Sequence, residues 1–380
     1  MVGSMRGKCV CILNKDRIEA HMTSEASAED RSSALKELRN WIGREQHNVG
    51  VDEVSRNDIR RKLEVYCFDC PLYTDDDIAR AHGYQKAVAP SAMIPLWTMP
   101  AYWSPGDPPL FGPGKPQRDG GTNMAVPKVY SSTVNAASEV EYFGSVYPGD
   151  RLQSVAKLTQ VNEKETRLGL GAFLTFETRI ERLSGELVAL RRNTSFQYDR
   201  RAEGGSGAKD KGDSSSSEVV GSDAVENIDI DWSRQITWGE VKVGDELPSY
   251  NLWLNYQRIV MSVATDRMFS GIHHDRDFAH AQGLDDIIFN TRGYEFMLEI
   301  FLRRWMGLDG QLRKFGPFRM VSNAHPGDTL VCGARVNSIE VKDGAGLVGL
   351  ELWVDSPRRR AAQGEAVVSL PIAAAAGQSL

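Results

Sequence analysis

Long hydrophobic runs are missing from this 380-residue sequence. Nothing in it approaches the roughly 20 apolar residues that a membrane-crossing helix needs. The apolar stretch near the amino end, Cys9 to Leu13, is short and lies between charged residues. It lacks the longer core and small-residue cleavage site of a secretory signal, so a cytoplasmic location is expected. Cysteine is also scarce. Five residues, at 9, 11, 67, 70 and 332, give an odd and irregularly spaced set, which excludes a disulfide framework and points to a reducing compartment. Cys67-Phe68-Asp69-Cys70 has no second pair to complete a zinc site, and no metal is expected. Positive charge is not in surplus. With 45 Lys and Arg against 51 Asp and Glu, the net charge of −6 argues against nucleic acid as the main partner.

What remains is an ordinary globular composition, 41% apolar and 25% charged, long enough for two or three domains. Residues 201–227 are Gly, Ser, Asp, Glu and Lys with few apolar side chains, including four serines in a row, and read as a flexible linker. They separate residues 37–200 from residues 228–373. Residues 1–36 read as an unstructured lead-in and 374–380 as a tail, with Met5 and Met22 as alternative starts.

The two large pieces repeat each other. Pro71-Leu72-Tyr73-Thr74-Asp75-Asp76-Asp77-Ile78-Ala79-Arg80-Ala81-His82-Gly83 matches Gly271 to Gly283 at a constant offset of 200 (271 − 71), with Asp75, Asp77, Ala79, Ala81 and Gly83 repeated. Tyr147-Pro148-Gly149-Asp150 matches His325-Pro326-Gly327-Asp328 at an offset of 178 (328 − 150). The first half therefore holds 22 extra residues (200 − 178) between the landmarks, with Ser104 to Gly121 as the evident insertion. Each half is expected to contain one strongly apolar helix, a Pro-Gly-Asp turn and then antiparallel strands. In the second half the helix spans Thr291 to Met306, apolar nearly all round and so buried. Strands are expected at Arg151–Val161, Thr166–Arg182 (a hairpin or one long strand) and Leu187–Phe196, and again at Thr329–Val341, Leu347–Val354 and Glu365–Leu370. The fold class is α+β, one sheet wrapping one buried helix in each half.

These landmarks resemble the tandem, or double, hot-dog fold of the MaoC-like dehydratases and (R)-specific enoyl-CoA hydratases. The first half is similar to the fatty-acid-synthase-type dehydratase N-terminal domain, through Trp41-Ile42-Gly43-Arg44-Glu45-Gln46 and Pro71-Leu72-Tyr73-Thr74-Asp75. The resemblance covers residues 37–373. It implies hydration or dehydration of an acyl-CoA thioester, or of an acyl-carrier thioester, with no cofactor beyond the CoA of the substrate. It also implies that the halves pair as an internal pseudo-dimer, and a homodimer of that unit is a further expectation.

The family's active loop reads Asp-x-Asn-Pro-x-His. Ile272-His273-His274-Asp275 puts His273 at the family histidine, with His274 as the neighbouring register. The family aspartate would fall at Met268, and the nearest acid is Asp266, two residues further back, so the loop is either two residues longer or rebuilt. The first half has Phe68 and Tyr73 at the corresponding places, which leaves it as a scaffold for the acyl tunnel. An aspartate and an imidazole sharing a water could take and return protons near neutral pH. Backbone N–H groups at the start of the buried helix, at Asn290 and Thr291, would stabilise an enolate oxygen. Two other functions stay open: a non-catalytic acyl-CoA-binding or partner subunit, and a thioesterase using Glu295. The simpler reading of Glu295 and Glu299 is a surface helix edge, with Glu299 paired to Arg303. Arg358-Arg359-Arg360 reads as a solvated turn, with contact to CoA phosphates as the functional alternative.

Overall fold

The computed structural model describes residues 28–112, 124, 126–130, 132–166, 169–199 and 230–372. The expected linker at 201–227 and tail at 374–380 lie outside the described residues, as does part of the insertion after Ser104.

The helices are α1 (Ala28–Arg39), α2 (Arg56–Tyr66), α3 (Asp76–Ala81), α4 (Tyr256–Asp266), α5 (Arg276–Ala281) and α6 (Thr291–Met306). The strands are β1 (Glu45–Val49), β2 (Ser132–Tyr142), β3 (Leu152–Thr166), β4 (Gly169–Arg182), β5 (Leu187–Tyr198), β6 (Tyr250–Trp253), β7 (Gln311–Met320), β8 (Thr329–Lys342), β9 (Ala345–Asp355) and β10 (Arg360–Leu370). All ten form one antiparallel sheet in the order β1-β3-β4-β5-β2-β7-β10-β9-β8-β6. The order reads the same from either end once each first-half strand is exchanged for its counterpart. The halves meet where β2 pairs with β7, for example Val140 opposite Phe315. The internal pseudo-dimer expected from the sequence is thus built as a single sheet.

The repeat persists in small details. Ser55 and Asn255 each cap the helix that follows with a side-chain oxygen, and Cys67 and Arg267 end those helices at positive φ of 49° and 54°. Short 3₁₀ turns follow at Pro71–Tyr73 and Gly271–His273, and then the one-and-a-half-turn helices α3 and α5, capped by Asp75 and Asp275. The backbone bond from Val88 to Leu72 has its equivalent from Ile288 to Ile272. At the Pro-Gly-Asp turns, the Tyr147 and His325 N–H groups donate to Asp150 and Asp328.

Two expectations need correction. The lead-in does not run to residue 36, because α1 begins at Ala28. Its Leu35 and Leu38 are buried in a cluster with Leu158, Ala172 and Leu174 of β3 and β4, and this apolar pair is what orders the segment. Among its described residues the first half also lacks the long buried helix. Its place is taken by the 3₁₀ stretch Ser91–Thr98, which has Pro95 inside it and Pro90 and Pro100 on either side. Proline removes a backbone donor and clashes with the preceding turn, so an apolar run punctuated this way cannot propagate as an α-helix. One long helix, α6, therefore serves both halves. It is about 24 Å long at 1.5 Å per residue, and twelve of its residues are buried, from Gly293 to Met306. Arg303 closes its C-terminal end by donating to the carbonyls of Gly307 and Gly310, at 2.8 and 2.7 Å.

Candidate active site

The site lies where α2, α4 and the amino end of α6 converge. On α4 the stripe Ile259, Ser262, Val263 and Asp266 faces inward. On α2 the stripe at the same offset is Ile59, Lys62, Leu63 and Tyr66. The helices pack so that each polar position meets the partner's other one. Lys62 Nζ stands 2.6 Å from Asp266 Oδ1, and Tyr66 Oη is 3.3 Å from Ser262 Oγ. Asp266 is the last residue of α4 and not a loop residue. The stretch from the helix end to the 3₁₀ turn has the same length in both halves, so the loop is not lengthened within the repeat.

Asn290 extends this polar cluster to α6. It occupies the N-cap position but makes no capping bond. Its side-chain N–H donates instead to Asp266 Oδ2 at 2.8 Å, and its Oδ1 accepts from Ser262 at 3.1 Å. The first-turn N–H groups of α6, starting with Thr291, are therefore not capped by Asn290. Tyr66 also donates to the Gly293 carbonyl at 3.2 Å, and Arg292 to the Asp266 carbonyl at 3.3 Å. Burial pushes the Lys62 ammonium below its ordinary range, against the pull of Asp266, and pushes the Tyr66 hydroxyl well up.

His273 ends its 3₁₀ turn with only 7% of its surface exposed. Its Nδ1 lies 2.8 Å from the Ile288 carbonyl, which can only accept. Nδ1 therefore carries the proton, and in the neutral ring the basic lone pair sits on Nε2. Asp266 and His273 are both anchored on the stretch leading into α6, one on Asn290 and the other on Ile288. His274 is more exposed, with Nε2 3.1 Å from the Phe269 carbonyl, and Asp275 caps α5 through the Phe278 N–H.

The acids on α6 differ from the surface edge expected of them. Glu295 and Glu299 are both buried, at 5% and 3% exposure. Glu295 accepts from Ser138 of β2 at 2.9 Å and pairs with Arg191 of β5 at 3.0 Å. Glu299 accepts from Tyr73 at 3.1 Å and from the N–H groups of Ser91 and Ala92 at 2.8 and 2.6 Å. Burial raises its carboxyl pKa, and those bonds and the nearby Arg303 oppose the rise. An i,i+4 pattern on a helix that is apolar all round does not mark a solvated edge, because both acids find partners in the first half. Arg358 of the triple-arginine turn makes two 2.9 Å bonds to Asp328.

Lys62 escaped the sequence reading, hidden in the charged run Arg60-Arg61-Lys62. Its signal was positional, three residues after Ile59 and four before Tyr66 on the inward stripe.

Residues 40–191 match the family model described as the FAS1-like dehydratase domain region. Over 160 residues the chain is 32% identical to the probable enoyl-CoA hydratase alpha subunit of Thermomonospora curvata. The match covers 41% of this chain and 49% of that protein, so the chain spans about half the length of this relative. A solved MaoC-like dehydratase superposes with a TM-score of 0.63 at 19% identity, covering 88% of this chain and all of the other. The chain shares its fold with that MaoC-like dehydratase. A double-hotdog protein of Mycobacterium tuberculosis superposes with a TM-score of 0.55 at 12% identity, over 88% of this chain and 97% of the other. The double hot-dog fold is therefore the architecture of this chain.

Proposed function

We propose that the chain adds water to, or removes it from, the α,β-double bond of an acyl-CoA thioester, with His273 moving the protons. In the hydration direction His273 Nε2 takes a proton from water as the oxygen bonds to Cβ, and the proton returns to Cα. The thioester oxygen, which gains charge as the enolate forms, is stabilised by the N–H groups at the start of α6, from Thr291 onward. Asp266 is held by Lys62 and Asn290. Its role is to orient the shared water and the helix start. The reaction uses no group beyond the CoA that the substrate brings. The observation that carries this reading is Asn290: a side chain suited to capping α6 turns to Asp266 instead, and the helix donors stay uncapped by it, while His273 is fixed in one tautomer on Ile288, two residues before that cap.

The test is loss of enoyl-CoA absorbance with the purified chain, wild type against His273→Gln. The variant is expected to lose about 10²–10⁴-fold in kcat with its circular dichroism unchanged. Wild-type turnover in the variant would refute the assignment. A second reading is favoured by the relative's description as an alpha subunit: the chain acts only beside a partner subunit. Hydration that begins only when a second MaoC-type chain is added would support it.

A further inference from the structure

We propose that a cleft of about 600 Å³, between α2, the end of α4 and the segment Leu96–Trp103, receives the nucleotide end of the CoA thioester. This rests on the reading above, and it adds a binding site supplied mainly by the non-catalytic half.

The cleft begins where the candidate active site ends. Ala264, Thr265 and Arg267 of its lining flank Asp266 in sequence. The covering segment is fastened to the same loop: Arg267 donates to the Pro100 carbonyl at 3.3 Å, and the Tyr102 ring meets Phe269 edge-on at 5.2 Å. A ligand in the cleft therefore lies against the end of α4, which carries Asp266.

The lining matches a nucleotide group by group. A purine base needs a flat apolar face, and Tyr102 and Trp103 provide aromatic surface. Trp103 is 46% exposed, yet its Nε1 is tethered to the Asp107 carbonyl at 3.2 Å, so its indole is held while still offering area. Phosphates need guanidinium donors, which Arg61 of α2 and Arg267 at the end of α4 bring. Sugar hydroxyls and the base amine need acceptors, and Asp52 and Asp58 carry them. Two acids against two arginines would suit a simple polyanion poorly, but a nucleotide presents both donors and acceptors. The volume falls in the range of small-molecule sites.

The experiment titrates the full chain with adenosine 3′,5′-bisphosphate, followed by tryptophan fluorescence and calorimetry, for wild type, Trp103→Ala and Arg61→Gln. Saturable binding that each substitution weakens by about tenfold is expected. The same substitutions should raise KM for crotonyl-CoA by about tenfold more than KM for the truncated crotonyl N-acetylcysteamine thioester. If crotonyl-CoA is turned over but the bisphosphate does not bind, or both thioesters suffer equally, the nucleotide assignment is overturned. Equal losses would mark the cleft as an acyl pocket. If the bisphosphate binds as expected but neither thioester is turned over, the hydratase reading fails and the nucleotide site stands.

Discussion

Lys62 and Asp266 form a buried ion pair across the internal two-fold, at positions whose repeat equivalents, Ser262 and Tyr66, form a neutral contact in the mirrored place. The side chains are 1% and 9% exposed. One copy of the pseudo-symmetric contact is thus charged and the other is not, and the charged one adjoins the amino end of α6 through Asn290.

Breaking this pair from one side should leave a buried charge without its counterion. Lys62→Met is expected to cost about 3–5 kcal/mol in urea unfolding. Adding Asp266→Asn should recover most of that loss, since the amide needs no counterion. A double variant as unstable as Lys62→Met alone would show that the pair is not what the lysine contributes.

Glu299 ties three donors of the first half to the helix of the second. Glu299→Ala would strand the Tyr73 hydroxyl and the N–H groups of Ser91 and Ala92. At about 1–3 kcal/mol for each buried group left unsatisfied, a total of several kcal/mol is expected in chemical denaturation. Glu299→Gln keeps one acceptor oxygen and should fall between. Equal stability of all three forms would rule the contact out as a structural tie.

Alkaline pH offers a third test. Burial holds the hydroxyl pKa values of Tyr66, Tyr73, Tyr142 and Tyr294 above the ordinary tyrosine value. Raised values in the folded state mean that their contribution is complete below about pH 10 and is lost as pH climbs from 10 toward the folded values. Each then removes up to about 1.4 kcal/mol per pH unit in that window. Phenolate absorbance should show these four ionising only as the chain unfolds. A single smooth titration of all 11 tyrosines near pH 10 with the fold intact would contradict it.

Gly293 admits no side chain. A Cβ there would lie 2.5 Å from the Phe289 ring and 2.6 Å from Asn290 Oδ1. Gly293→Ala, normally favourable inside a helix, is expected to destabilise by about 1–3 kcal/mol. It should also lower hydration more than stability alone explains, because it displaces Asn290. Thermal unfolding measured beside enoyl-CoA kinetics separates the two effects. Unchanged kinetics in a folded variant would detach Asn290 from the chemistry.

Much of the fold was legible because duplication writes each landmark twice. The constant offset marked the equivalent 3₁₀ turns and capped helices, and strand alternation with Gly-rich turns located β3, β4, β5, β8, β9 and β10 to within a few residues. Strands β1, β2, β6 and β7 were not read. β1 and β6 are short edges, and Gly316-Pro317 interrupts β7. The apolar helix expected in the first half failed on spacing: Pro90, Pro95 and Pro100 recur every five residues in a run whose hydrophobicity alone suits a helix. At the candidate site, the repeat offset placed His273 at the end of its 3₁₀ turn, as the equivalent of Tyr73. The partners of Asp266 could not be read, since Lys62 lies 204 residues away and meets it only because two helices cross.

The seam between β2 and β7 has an evolutionary consequence. Two identical subunits must make every two-fold contact in duplicate, so a lysine opposite an aspartate would occur twice or not at all. Fusing the halves into one polypeptide releases that constraint. It lets one end keep a histidine while the other spends the same position on a tyrosine that braces the shared helix.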